Sequence, residues 1–127
     1  MTLSVTPSLA GESDASVTVL NHQGLVDPSG IAAHGKYVWV SQLRGGGENG
    51  EVVRVNALSD AHVSITSPLI NHPWNLVSDG SYVWVVNRAK GPTGTAFISR
   101  IDIATNTVSF VTGVTSVNSL AIGGDYV

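Results

Sequence analysis

The stretch "GKYVWVSQ" (residues 35–42) returns almost unchanged as "GSYVWVVN" (residues 80–87), 45 positions further on. In an extended strand, Tyr37 and Trp39 point to one side, and Val38 and Val40 point to the other. Both sides are therefore apolar. A sheet with one wet face carries polar residues at every second position. This strand reads instead as one covered on both faces.

Working outward, "PSGIAAHGKYVWV" (28–40) lies on "PWNLVSDGSYVWV" (73–85): Pro28 on Pro73, Gly35 on Gly80, Tyr37 on Tyr82, Trp39 on Trp84. The ending "SLAIGGDYV" (119–127) opens the pattern a third time, with Gly124 and Tyr126 each 44 positions after Gly80 and Tyr82. "EVVRVNALSDAHVSI" (51–65) aligns with "FISRIDIATNTVSF" (97–110) across a one-residue gap, which pairs Arg54 with Arg100. "SDASVTV" (13–19) echoes "SDAHVSI" (59–65). The chain divides into an extended lead-in (1–12), the last strand of a preceding unit with its following loop (13–27), two complete units (28–72 and 73–116) and the start of a further, incomplete one (117–127).

Each complete unit predicts four strands: 30–33, 37–41, 51–56 and 62–66 in the first, and 75–78, 82–87, 98–103 and 107–112 in the second. These segments are rich in Val, Ile, Thr and aromatic residues, with Gly, Asn, Asp and Pro between them. No apolar period of 3.6 residues is sustained, so no helix is expected. The expectation is an all-β chain of β-propeller blades, each of four antiparallel strands: two complete blades and partial blades at both ends. A blade buries one face against each neighbour, which explains why the text repeats. Two blades fall below the roughly three repeats that such arrays need for stability. The expected partners are therefore the remaining blades of a longer polypeptide, of which this chain is a piece, or further copies of the chain, the early strand of each completing its neighbour's blade.

The 127 residues are 43% hydrophobic and 12% charged, which suits a packed core and excludes a disordered chain. Six Lys and Arg stand against nine Asp and Glu with no basic run, so nucleic-acid binding is not expected. There are no cysteines, hence no disulfides and no thiolate metal site. No apolar run reaches the roughly 20 residues of a membrane-spanning helix, and no membrane insertion is expected. The beginning, "MTLSVTPSLAGESDAS", lacks the basic and apolar regions of a secretory signal.

The pattern "YVWV…N…G…SRIDIATNTV" resembles the repeat of the YVTN/streptogramin-lyase-like (virginiamycin B lyase-like) propeller superfamily. The resemblance covers about residues 13–127, with Asn106 where the turn of that repeat usually has Gly, and with a first unit that departs further. It implies a propeller fold and a non-catalytic module that binds protein or carbohydrate, or builds an assembly in a surface, envelope or phage particle. With no visible signal, a virion or the cytoplasm is favoured over secretion. The alternative it implies is part of a C–O lyase using a histidine base and Mg²⁺. The His-x-Glu-type arrangement of such an enzyme does not occur in this sequence and would have to lie in other blades, so no catalytic residue, metal ligand or cofactor is assigned.

In a blade, the loops leading into strand one and out of strand two share one face around the channel. Those after strand two, "LRGGGENG" (43–50) and "RAKGPTGT" (88–95), carry three of the six basic residues and depart most from the repeat. The expected binding face comprises Arg44, Glu48, His72, Trp74, Arg88 and Lys90. Trp74 replaces Ser29 of the preceding unit and could stack on a ligand. His72 lacks a carboxylate or histidine partner at ligand spacing and reads chiefly as a turn residue. Trp39 and Trp84 are expected in the packing between blades, and Arg54 and Arg100 are expected to pair across it.

Overall fold

The structure, a computed structural model, describes residues 4–5, 15–16, 25–43, 50–89, 96–114, 117–124 and 126–127. These form strands and turns with no helix: β1 (Ser4–Val5), β2 (Ala15–Ser16), β3 (Pro28–His34), β4 (Tyr37–Leu43), β5 (Gly50–Asn56), β6 (His62–Ile65), β7 (Pro73–Ser78), β8 (Tyr82–Asn87), β9 (Phe97–Asp102) and β10 (Val108–Val111). β1 and β2 pair antiparallel. β3 to β6 and β7 to β10 form two four-stranded antiparallel sheets, each in chain order. The expectation for residues 13–27 falls mostly outside the described residues.

The eight strands expected in the two units are present, with shifted ends. β3 and β7 begin at their prolines, because Pro28 already faces Gln42 and Pro73 faces Asn87 before a register shift in each strand. A first strand position tolerates Pro, whose missing N–H costs the ladder least there. β9 stops at Asp102 because its side chain is committed to the next turn. Asp102 Oδ1 accepts from the backbone N–H groups of Ala104 and Thr105 at 2.9 and 3.1 Å. Asn56 does the same for Leu58 and Ser59 at 3.0 and 3.3 Å.

Backbone conformation follows the 45-residue spacing as closely as the text does. Gly35, Gly80 and Gly124 all take positive φ, a region open to glycine at no steric cost. Asp60 and Asn106 occupy the same region at φ 62° and 58°, and Asp27 and His72 both sit at φ 52°. Asn and Asp tolerate left-handed geometry better than other side chains, so both fit these turns.

The alternation of β4 decides how the sheets meet. Trp39 and Val52 on one side of the first sheet, with Ile65, pack against Leu76, Val83, Val85 and Ile101 of the second, joined by Ile70. Trp39 is 1% exposed at the centre of this layer. Tyr37 lies beside it, with ring centroids 5.9 Å apart. Arg54 stacks 4.8 Å over the Tyr37 ring and donates across to Asn106 Oδ1 of the second sheet at 3.2 Å. The edge strands β3 and β7 nearly touch: Ser29 Oγ donates to the Pro73 carbonyl at 2.7 Å, and Ser41 Oγ to that of Trp74 at 3.1 Å.

Trp84 is less buried than Trp39. It shares the alternation of Trp39, but it lies on the side of the second sheet turned away from the first and is only half-buried. Its indole N–H donates to Asp79 Oδ2 at 2.8 Å, whereas that of Trp39 is buried without an acceptor. Arg100 stacks 4.5 Å over Tyr82, as Arg54 does over Tyr37, but makes no cross-sheet bond among the described residues. Equal sequence positions thus acquire unequal burial, because only one of the two equivalent sides has a described sheet against it.

Asp79 also makes this turn sensitive to pH. Partial burial pushes its carboxyl up, but hydrogen bonds from the Trp84 indole and from the backbone of Tyr82 and Ser81 outweigh that and hold it below the usual carboxylate range. A depressed folded value means stability that is present above the ordinary Asp range near 4 and is lost as pH falls through the folded value. Asp79→Asn keeps an acceptor but removes the titration. Urea midpoints measured from pH 6 to pH 3 should therefore fall less steeply for this variant than for the wild type. A parallel fall would mean that Asp79 contributes nothing to acid sensitivity.

Candidate functional site

One end of the paired sheets gathers the starts of β3, β5 and β7 and the ends of β4 and β8. Its backbone is built identically in both sheets. The N–H of Leu43 donates to the Asp27 carbonyl at 3.3 Å, and that of Arg88 to the His72 carbonyl at 3.0 Å. The side-chain oxygen of Gln42 accepts the Val26 N–H at 2.8 Å, and that of Asn87 accepts the Asn71 N–H at 2.8 Å. These pairs lie 45 positions apart and belong to the architecture. His72 accordingly owes its positive φ to a turn that Asp27 makes as well, and its half-buried backbone reads as structural.

The buried polar side chains here are turned inward. Gln42 Nε2 donates to Glu51 Oε1, and Ser64 Oγ to Glu51 Oε2. Asn87 Nδ2 donates to Ser99 Oγ at 2.8 Å and to the Val85 carbonyl at 3.2 Å, while Ser99 Oγ donates to the Leu69 carbonyl. Together these bonds satisfy donors and acceptors that burial would otherwise penalise.

Trp74 and Arg88 are not explained this way. Both sheets carry a bulge after the opening proline. In the first, the residue after the proline is Ser29, whose hydroxyl donates to the Pro73 carbonyl. In the second it is Trp74, which is 41% exposed. Bulges re-aim side chains, and this one turns an indole toward solvent. Arg88, the counterpart of Leu43, places its guanidinium 4.6 Å from the centre of the Trp74 ring. That guanidinium makes no hydrogen bond or ion pair among the described residues. The indole lies against it, and no described residue accepts from its N–H groups.

Of the six residues expected at this face, His72, Trp74 and Arg88 therefore come together at one end of the second sheet. Arg44, Glu48 and Lys90 lie outside the described residues. Val26 was missed by the sequence reading. It is 56% exposed at the same end, in the loop before β3. The available signal was an apolar residue standing where the second unit has the polar Asn71. His34 and His62 lie at the opposite end, His34 closing β3 and His62 opening β6. Among the described residues no three His, Cys, Asp or Glu side chains gather as metal ligands would. A scan against protein-family models gives no match for this chain, and a search of curated proteins gives no similar sequence.

Proposed function

We propose that the chain is part of a β-propeller whose blades are sheets of this kind, and that it works as a non-catalytic binding or assembly module. Its ligand is taken at the end that carries Trp74 and Arg88. The resemblance of its repeat to the YVTN/streptogramin-lyase-like superfamily supports the propeller. So do the unmatched halves of the interface between the sheets. Arg54 reaches Asn106 across that interface, while Arg100 in the matching place has no such partner among the described residues. Leu76 is 2% exposed against the first sheet, while its counterpart Ile31 is 69% exposed beside an open groove of about 410 Å³ lined also by Leu25, Pro28 and Val40. Further sheets of the same pattern, from a longer polypeptide or from other copies of the chain, suit both places.

The observation that carries the binding function is the Trp74–Arg88 pair. It is a large exposed aromatic under an uncommitted cation, at positions where the other sheet uses Ser29 and Leu43. Neither belongs to the buried core cluster, where packing would dictate the residue type. Arrays of immobilised peptides and glycans probed with the full chain test this reading. The wild type is expected to bind and to leave the probes chemically intact. Trp74→Ala combined with Arg88→Ala should lose binding by at least about tenfold, the worth of one charge-assisted contact, with the urea midpoint nearly unchanged. Binding that survives the double variant but disappears when the opposite-end turn at Asp60 or Asp102 is altered, without unfolding, would place the site elsewhere. Release of cleaved probe would make the protein an enzyme.

A further inference from the structure

We propose that the end of the sheets carrying Val26, Trp74 and Arg88 binds a protein segment presenting a carboxylate beside an aliphatic side chain. This rests on the binding function proposed above and names its partner. The choice between protein and saccharide follows from how the polar groups at this end are spent. A saccharide needs several fixed donors and acceptors for its hydroxyls. Ser29 donates to the Pro73 carbonyl and Ser41 to the Trp74 carbonyl. Gln42 is held by Glu51 and the Val26 N–H, and Asn87 by Ser99, the Val85 carbonyl and the Asn71 N–H.

Among the described residues, what this end leaves toward solvent is Val26 and Trp74, with Asp27 and His72 at the turns and the guanidinium of Arg88, which makes no hydrogen bond or ion pair there. Exposed Trp and Arg side by side are the residue types that dominate protein interfaces, since each buries a large area while losing few rotamers or forming directed bonds. The guanidinium rests against the indole, and its N–H groups suit bidentate contact with a carboxylate. A side chain already resting on the ring lowers the ordering cost of binding. An aliphatic neighbour on the same segment then covers Val26 and the open part of the indole.

Selection of random decapeptides displayed on phage against the immobilised full chain tests the proposal. Wild type should enrich Asp or Glu next to Leu, Ile, Val or Phe about tenfold over the starting library, the worth of one charge-assisted pair. Arg88→Ala should lose the acidic preference, and Arg88→Glu should reverse it to Lys or Arg beside the same aliphatics. Arg88→Lys keeps the charge without the fork and should retain only part of the enrichment. Urea midpoints confirm that each variant is folded. The same acidic enrichment from Arg88→Ala, or none from wild type, overturns the proposal. Trigalacturonate serves as the second probe. If it alone perturbs tryptophan fluorescence saturably, and Trp74→Leu abolishes the effect, the end binds a ligand but the partner is a saccharide. If neither probe binds, the binding function fails as well.

Discussion

Trp39→Ala should lower stability by about 3–5 kcal/mol, the range for truncating a buried Trp. The ring is 1% exposed and packs between the two sheets against Val52, Leu76, Val83 and Val85. No collapse of β4 can refill the space, because its neighbours are held in register on both sides. The buried N–H has no acceptor, so the variant loses no hydrogen bond. This places the expected cost toward the lower end of the range. Trp39→Phe keeps most of the apolar contact and removes the unsatisfied donor, and should cost far less than Ala. Trp84→Ala should also cost less than Trp39→Ala, since that ring is half-buried, although it gives up the 2.8 Å bond to Asp79 and its place beside Arg100. Urea denaturation of the three variants decides the order. Equal losses from the two alanines would show that the Tyr82–Trp84 side is as deeply covered as the Tyr37–Trp39 side.

Gly30→Ala should cost about 1–3 kcal/mol, the usual range for overpacking. A Cβ at this position would lie 2.4 Å from the Trp74 carbonyl oxygen and 3.2 Å from the Asn75 Cα, both backbone atoms of β7. Ser41 Oγ would be 3.0 Å away. Backbone cannot rotate aside as a side chain does, so β3 and β7 must separate. Separation stretches the Ser29 bond to Pro73 and the Ser41 bond to Trp74. Amide exchange along β7 should accelerate together with the loss of global stability. Gly35→Ala is the control: nothing lies within 4 Å of its Cβ, and its cost is confined to the positive φ of 58°. A wild-type urea midpoint and unchanged β7 exchange in Gly30→Ala would mean that the two edge strands are not in contact.

Local rules carry far in this chain. The alternation in "YVWV" gives strands with two apolar sides, and the sheets bury Trp39 on one side of β4 and Val40 on the other. The 45-residue spacing reappears in the strand order of both sheets and in their left-handed turn residues. These features depend on near neighbours in the chain: side-chain alternation, the freedom of Gly35 and Gly80, and the capping of turns by Asn56 and Asp102. The bulges after Pro28 and Pro73, by contrast, were not legible, because a register shift is set by two strands together and not by one.

The candidate site was half legible. The expectation that Trp74 and Arg88 belong to one face followed from where the repeat breaks down. Their direct contact did not, because it depends on a bulge turning the indole outward to meet a residue from the next strand. His72 read chiefly as a turn residue in the text, and its backbone matches that of Asp27. The sequence by itself determined the strands, their turns and the equivalence of the two units, since these rest on periods of two and forty-five. Only the tertiary structure decided which equivalent residues are buried. Trp39 and Trp84, Leu76 and Ile31, Arg54 and Arg100 read alike in the text. They differ in the molecule because burial depends on what lies across the face of a sheet, and no residue's own position in the repeat records that.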